Sequence, residues 1–318
     1  MPSPLDPPRV IVFGYDRLML TSLDALSGAG AEIIAAAFPS VRQDTRTNEI
    51  RNEVRARGLE TIEQPGKGES QGFAERISDL KPDLIFVWSY PMILPRRVIE
   101  IPRLGSINLH MGLLPHYRGV NGLKWALLND ESETGITLHY IDEGIDTGDM
   151  ISRVSFPIGE DDDLVSLMKK ARFAGMHLIK NIWPQLVNGK IKAMPQDEAD
   201  AGYYSAAMEP PREVDWSRPA HEIHNLIRAS PKPFDGVYTK WQDKKIVLRR
   251  SRPDESRSGT VPALVAAVDT AGIRVATGSG SLLISEVEID GQLLSGSEIA
   301  AFGMKAGDAL GVPGSALS

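Results

Sequence analysis

The chain has 318 residues, of which 42% are hydrophobic and 24% are charged, a composition typical of a globular protein with room for a large domain and a small one. It contains no cysteine, which excludes disulfides, thiol nucleophiles and thiolate metal ligands. The formal net charge of −7 argues against broad electrostatic binding to nucleic acid, which depends on clustered lysine and arginine. The first residues do not have the pattern of a signal peptide and no apolar run is long enough to span a bilayer, so we expect a cytoplasmic protein without membrane contact.

The first half of the chain alternates apolar strands with helices. Strands are predicted over residues 9–13, 32–38, 83–88, 106–109, 134–141 and 149–156, and helices over 17–28, 46–57, 70–80 and 121–129. This alternation is typical of a mostly parallel sheet with helices on both faces. A longer helix is predicted to begin at Asp161, with Asp162 and Asp163 also in its first turn, where carboxylates oppose the positive end of the helix dipole.

The last third of the chain has a different pattern. A polar, proline-containing segment is followed by a predicted helix over residues 219–229 and strands over 236–241, 245–249, 259–268, 273–277 and 282–288. Short strands at this spacing indicate a small β-barrel. We therefore predict an α/β fold in which a Rossmann-like, mostly parallel catalytic domain (1–189) and a linker (190–212) precede a small OB-like β-barrel domain (213–318).

Residues with side chains suited to chemistry are densest between residues 106 and 148. Asn108 and His110 lie two residues apart on a predicted strand, so their side chains project from the same face. A carboxamide and an imidazole on one face can together bind a carbonyl oxygen. Asp146 lies in a loop after a later strand, and a parallel topology would allow that loop to return to the same edge, where open α/β sheets bind ligands.

The stretch over residues 107–119, INLHMGLLPHYRG, resembles the N-x-H-x-S-L-L-P-x-Y/W-R-G motif of the 10-formyltetrahydrofolate-dependent formyltransferases. The segments TGITLH (134–139) and DTG (146–148) follow in the order and near the spacing of that family. Residues 214–229 are similar to the junction that leads into the C-terminal barrel of methionyl-tRNA formyltransferase and its sugar-acting relatives. The resemblance covers about residues 9–311, so it includes both predicted domains.

The resemblance implies that Asn108, His110 and Asp146 are the catalytic residues. It implies 10-formyltetrahydrofolate as the donor, bound by residues in two loops: Met92, Ile93, Leu94, Asp142, Glu143, Gly144 and Ile145. The candidate substrate contacts are His116, Tyr117 and Arg118, although Arg118 is better explained as a residue that stabilises its loop. Gly112 stands where most family members have serine, and we expect this departure to affect substrate contacts more than activity.

The three implied catalytic residues suit formyl transfer to an amine, which passes through a tetrahedral oxyanion. Asn108 can donate a hydrogen bond to that oxygen, an interaction that stabilises the transition state by roughly 3–4 kcal/mol. His110 can donate as well, or carry a proton from the amine to the leaving nitrogen. Asp146 would orient the imidazole and raise its pKa towards neutrality.

Two functions of other classes are weaker alternatives. A metal-dependent hydrolase could use His110, His116, His139 and Asp146 as ligands, but their spacing matches no common zinc motif, so no metal is predicted. A non-catalytic nucleotide-binding protein could share the same sheet, but the first turn, residues 13–18, lacks the G-x-G-x-x-G pattern.

The acceptor amine is either a small molecule, such as an amino sugar nucleotide or a hydroxylated ornithine, or methionyl-tRNA. From Met208 onward the chain has 13 basic and 14 acidic residues, which leaves no surplus charge for binding phosphates. Residues 38–48 also lack the longer basic loop of the tRNA-acting relatives. We therefore favour a small amine, with tRNA as the alternative.

Overall fold

A computed structural model describes residues 6–66, 70–254 and 261–311. The chain forms two compact units, each assembled from segments that are distant in sequence. Within the described residues, the first unit comprises 6–66, 70–122, 134–156 and 169–204, and the second comprises 123–133, 157–168, 205–254 and 261–311. No helix within the described residues is long and apolar enough to cross a membrane.

The first two thirds of the chain carry the elements that build the first unit. The strands are β1 (Arg9–Phe13), β2 (Glu32–Pro39), β3 (Glu60–Gln64), β4 (Leu84–Val87), β5 (Ser106–His110), β6 (Arg118–Gly119), β7 (Glu133–Tyr140), β8 (Met150–Pro157) and β9 (Tyr203–Tyr204). The helices are α1 (Arg17–Gly28), α2 (Thr45–Ala56), α3 (Ser70–Asp79), α4 (Arg96–Ile99), α5 (Gly122–Leu128) and α6 (Leu164–Val187), and the ends of α5 and α6 fall in different units.

One sheet dominates the first unit, with the strand order β3-β2-β1-β4-β5-β7-β8. The pairings from β3 to β5 are parallel, and β7 runs antiparallel to β5, with Asn108 opposite His139. The central strands β1 and β4 are apolar and almost entirely buried, as expected where helices cover both faces of a parallel sheet. The two-stranded pairing of β6 with β9 lies outside this sheet.

The start of α6 differs from the prediction. The helix begins at Leu164, so Asp161 and Asp162 precede it rather than lying in its first turn. Asp163 caps it: its carboxylate accepts the N–H of Ser166 at 2.8 Å, and its own N–H donates to the Ser166 hydroxyl at 3.0 Å. Aspartate is favoured at this position because its side chain satisfies a backbone N–H that has no partner within the helix.

The second unit carries the remaining elements. They are α7 (Ala220–Arg228), β10 (Val237–Trp241), β11 (Lys244–Asp254), β12 (Val265–Asp269), β13 (Gly272–Ala276), β14 (Ser281–Ile289), β15 (Gln292–Ser295) and α8 (Ser297–Ala301). The strands form an antiparallel sheet in the order β10-β11-β14-β13-β12, with β15 paired to β14. Val237, Ile246, Ile273, Ile284 and Val287 are fully buried in its core.

The predicted α/β fold class, a Rossmann-like, mostly parallel sheet followed by a small OB-like β-barrel domain, is confirmed, and the C-terminal domain is built on an antiparallel sheet. Six short elements, β3, α4, β6, β9, β15 and α8, were not predicted. The predicted strand over 259–268 starts only at Val265, and residues 259–260 lie outside the described residues.

The chain divides differently from the predicted boundaries at 189 and 212. Residues 190–204, predicted to be a linker, belong to the first unit, because Met194 forms a bridge with Met150 and β9 pairs with β6. Residues 123–133 and 157–168, predicted to lie in the catalytic domain, cluster with the second unit.

Candidate active site

The side chains of Asn108, His110 and Asp146 converge beside β5. Asn108 and His110 project from the same face of this strand, as alternate residues do. Because β7 runs antiparallel to β5, the loop after β7 leaves the sheet beside the start of β5 and folds back along it. That path brings the Asp146 carboxylate to 3.4 Å from His110 Nδ1 and 3.3 Å from Asn108 Nδ2.

The amide nitrogen of Asn108 has two partners. Nδ2 lies 3.1 Å from His139 Nε2 and 3.3 Å from Asp146 Oδ1. His139 Nδ1 lies 2.7 Å from the Tyr140 carbonyl, so Nδ1 carries the proton and Nε2 accepts from Asn108. Both acceptors require the nitrogen of the Asn108 amide to face them, which fixes its orientation.

The His110 imidazole lies between two acceptors. Nε2 is 2.6 Å from the Tyr117 carbonyl oxygen and therefore donates to it, and Nδ1 faces the Asp146 carboxylate. Burial lowers the pKa of His110 by more than Asp146 raises it, because a charged imidazole is poorly solvated there. The prediction that Asp146 raises this pKa describes its electrostatic contribution correctly, but the net direction is the opposite.

Asp146 is ionised in this setting. Burial opposes the charged form, but His110 and the N–H of Gly119, which donates to Oδ2 at 2.9 Å, together hold the pKa of Asp146 well below its usual range. Its backbone has a φ of 55°, the left-handed conformation that non-glycine residues seldom adopt. A Cβ on Gly148 would lie 2.0 Å from the Tyr140 carbonyl oxygen, so only glycine allows the loop to approach β7 this closely.

Sequence reasoning underestimated His139. Its side chain is 2% exposed and both ring nitrogens have hydrogen-bond partners, as in a buried structural histidine. However, it also contacts two of the implied catalytic residues, since Nε2 lies 3.4 Å from Asp146 Oδ1. In the structure it lies directly opposite Asn108 on the neighbouring strand, a pairing that the sequence alone does not indicate.

The three candidate substrate contacts have different surroundings. His116 is exposed. Tyr117 is buried and its ring stacks on Tyr204 at 5.3 Å. The Arg118 guanidinium is fully buried and binds Glu198 at 2.7 Å and the Tyr203 hydroxyl, which agrees with the interpretation that it stabilises its loop.

The residues implied for donor binding lie in two loops of the first unit. Met92 is half-buried, Ile93 and Ile145 are exposed, and Leu94 packs into the core. The Asp142 carboxylate accepts the Thr147 hydroxyl at 2.5 Å and the Gly144 N–H at 3.0 Å, so it shapes its own loop. Glu143 forms an ion pair with Arg96 at 2.8 Å.

None of the described residues forms a group of three or more histidine, aspartate or glutamate side chains arranged to hold a metal ion.

Gly112 lies against the His110 ring. A Cβ at this position would be 2.8 Å from His110 Nε2, closer than such atoms approach in proteins, and 3.1 Å from Tyr117 Cβ, which is tighter than most such contacts. The glycine that stands in place of the family's serine therefore lies against His110, an implied catalytic residue. We had expected this departure to affect substrate contacts more than activity.

We expect Gly112→Ser to push the imidazole off the Tyr117 carbonyl and to lower kcat about tenfold, with little change in the acceptor KM, because misplacing a catalytic group slows the chemical step. Steady-state kinetics test this. Gly28→Ala is the matched control, since a Cβ there meets nothing within 4 Å. A Gly112→Ser enzyme with the wild-type kcat would show that the ring has room to move.

The sequence matches two family descriptions. Residues 30–182 match "Formyl transferase" and residues 210–301 match "Formyl transferase, C-terminal domain". The chain is 32% identical over 310 residues to the methionyl-tRNA formyltransferase of Citrifermentans bemidjiense, and the alignment covers 95% of this chain and 96% of that one. It is 34% identical over 313 residues to the methionyl-tRNA formyltransferase of Geobacter sulfurreducens, with coverage of 96% and 98%. These matches make the chain a transferase.

The chain belongs to the formyltransferase family, and the resemblance seen in residues 107–119 is confirmed. Solved structures share the fold. An N-formyltransferase from Helicobacter canadensis, in complex with folinic acid and dTDP-3-aminofucose, aligns with a TM-score of 0.65 at 20% identity over 86% of this chain and 98% of that one. WlaRD, a sugar 3N-formyl transferase solved with dTDP and 5-N-formyl-THF, aligns with a TM-score of 0.63 at 18% identity, covering 90% and 98%.

Proposed function

We propose that this formyltransferase transfers the formyl group of 10-formyltetrahydrofolate to a primary or hydroxylated amine of a small molecule. The observation that carries the proposal is the convergence of Asn108, His110 and Asp146 beside β5, with the carboxylate 3.4 Å from the imidazole. A hydrogen-bond donor, a group that can carry a proton and a fixed negative charge are what acyl transfer to an amine requires.

The reaction needs no covalent enzyme intermediate. The amine nitrogen attacks the formyl carbon, and Nδ2 of Asn108 exchanges its longer bond, that of 3.3 Å to Asp146 Oδ1, for one to the oxyanion that develops. The imidazole of His110 takes up a proton from the amine, with Asp146 stabilising the charged ring, and returns it to the folate nitrogen as the bond from that nitrogen to the formyl carbon breaks. The products are the formylated amine and tetrahydrofolate.

Folate as the donor is supported by the relatives. The N-formyltransferase from Helicobacter canadensis was solved with folinic acid, and HypX from Aquifex aeolicus with tetrahydrofolic acid. We assign the donor to the two loops that hold Met92, Ile93, Leu94, Asp142, Glu143, Gly144 and Ile145. The exposed side chains of Ile93 and Ile145 offer apolar surface to a flat aromatic ring.

A small acceptor is supported by the charges of the second unit, where many basic side chains already have acidic partners. The ion pairs are Arg212–Asp235, Lys240–Glu213, Lys244–Asp290, Arg249–Glu288, Arg252–Asp161 and Arg274–Asp254. Exposed pairs of this kind add little to stability, but each cancels a positive charge that phosphate binding would use.

Methionyl-tRNA is the second candidate acceptor. It is favoured by the identity of 32–34% over nearly the whole chain to two methionyl-tRNA formyltransferases. A panel of amino sugar nucleotides, N-hydroxyornithine and charged initiator tRNA, each assayed with 10-formyltetrahydrofolate, separates the candidates. Transfer to the tRNA alone would refute the small-amine assignment, and no transfer to any member would count against formyl transfer to these acceptors.

We expect the acceptor KM to rise only modestly between about 50 and 200 mM salt. An enzyme that neutralises several tRNA phosphates loses orders of magnitude in affinity over this range, whereas a nucleotide sugar offers only its diphosphate and a hydroxylated ornithine offers no phosphate. The measurement is KM for each acceptor at both salt concentrations. Efficient formylation of tRNA with a steep salt dependence would contradict the small-amine proposal and leave formyl transfer itself intact.

A further inference from the structure

We propose that Gln196, in the segment predicted to be a linker, is a positioning residue that holds Asp146 against His110. Its side-chain Nε2 donates to the carbonyl oxygens of Asp146 at 2.8 Å and Gly148 at 2.7 Å, and its Oε1 accepts from Arg118 Nε at 3.0 Å. The two carbonyl acceptors fix which end of the amide faces the loop. Both of its N–H groups are therefore committed to the backbone on either side of Thr147.

The backbone of Asp146 lies in the left-handed region, with a φ of 55°. Aspartate adopts this conformation more readily than most residues with a Cβ, but the right-handed one remains more favourable, so a contact that holds Asp146 in place fixes the loop. A rotation of the Asp146 backbone would swing its carboxylate away from His110 Nδ1, which lies 3.4 Å from Oδ2. The bond from Gln196 to the Asp146 carbonyl opposes that rotation directly.

The side chain of Asp146 is held by Gly119, the residue that follows Arg118. Gly119 N–H donates to Asp146 Oδ2 at 2.9 Å, and Arg118, the preceding residue, donates to Gln196. The buried Arg118 guanidinium also binds Glu198 at 2.7 Å. The segment around Gln196 is thereby anchored to the loop that carries Gly119. Gln196 holds the backbone of Asp146, and Gly119 holds its carboxylate.

Two substitutions distinguish the hydrogen bonds that Gln196 donates to the Asp146 loop from the one that it accepts from Arg118. Gln196→Met keeps the length of the side chain and loses every hydrogen bond. Gln196→Glu keeps an oxygen for Arg118 but has no N–H to donate at neutral pH. If holding Asp146 is the function of Gln196, we expect both variants to lower kcat about 10- to 100-fold, with KM for donor and acceptor within about threefold of wild type.

The titration of His110 provides a readout that does not depend on activity. Because the Asp146 carboxylate raises the pKa of His110, losing its alignment should lower that pKa further, and NMR of the imidazole would show it. Asp197→Asn is the matched control, since it changes the exposed neighbour of Gln196 and should leave both the pKa and kcat unchanged. The inference rests on the proposed function for its kinetic part only, so the NMR result stands even if the acceptor has been assigned wrongly.

A Gln196→Glu enzyme with the wild-type kcat and an unshifted His110 titration would overturn the proposal. A loss of kcat that Asp197→Asn shares equally would also overturn it, because it would indicate a general disturbance of the segment. If Gln196→Met does not fold, the proposal is tested with Gln196→Glu alone, because that variant keeps the contact with Arg118.

Discussion

Asn108→Ala and His110→Ala are each expected to lower turnover by at least about two orders of magnitude while the fold survives. Asn108 supplies the amide donor that the proposed mechanism places on the oxyanion. His110 supplies the group that carries the proton between the two nitrogens. Because the residues of β5 that alternate with them, Ile107 and Leu109, build the core, truncating the two side chains should leave the sheet intact. Single-turnover rates with 10-formyltetrahydrofolate, together with thermal unfolding, measure the two effects separately.

The exposed His116 is the control for this experiment. It lies six residues after His110 in the same stretch of sequence, and His116→Ala should reduce turnover far less than His110→Ala. A correctly folded Asn108→Ala or His110→Ala enzyme that kept more than half of the wild-type rate would show that the residue has no catalytic role.

The arrangement of the sheet and half of the site could be predicted from local patterns. Buried strands such as β1 and β4 are short apolar runs, and a two-residue spacing on a strand is enough to place Asn108 and His110 on one face. The weaker strand β3, with the sequence ETIEQ, was missed because its polar residues give no clear alternation.

The rest of the site depends on contacts between residues that are far apart in sequence. Asp146 reaches His110 only because the loop after β7, which leaves the sheet beside the start of β5, folds back along that strand, and the spacing of the two residues does not indicate that path. Gln196 lies 50 residues after Asp146 in a polar, proline-containing segment that resembles a linker in composition. A composition of this kind cannot show which of its side chains docks on a distant loop.

Asp146→Asn is expected to lower kcat by about 10²- to 10⁴-fold, because it removes the charge that stabilises the protonated imidazole. With its amide oxygen in the place of Oδ2, the new side chain can still accept the Gly119 N–H, which preserves the loop. That oxygen also faces His110 Nδ1, but without the negative charge the protonated ring is less stable, which disfavours uptake of the proton from the amine.

The pH profile of kcat tests the direction in which the pKa of His110 moves when the Asp146 carboxylate is removed. His110 must be neutral to take up a proton, so activity falls as pH drops through its pKa, which burial places below the ordinary value of 6.5. Removing the Asp146 carboxylate lowers that pKa further, so the acid limb of the kcat profile should move to lower pH while the plateau falls. Asp149→Asn removes the same charge from an exposed position nearby in sequence and should change neither the plateau nor the limb. If the acid limb of Asp146→Asn moved to higher pH, or its plateau matched wild type, Asp146 would not be the group that stabilises the protonated imidazole.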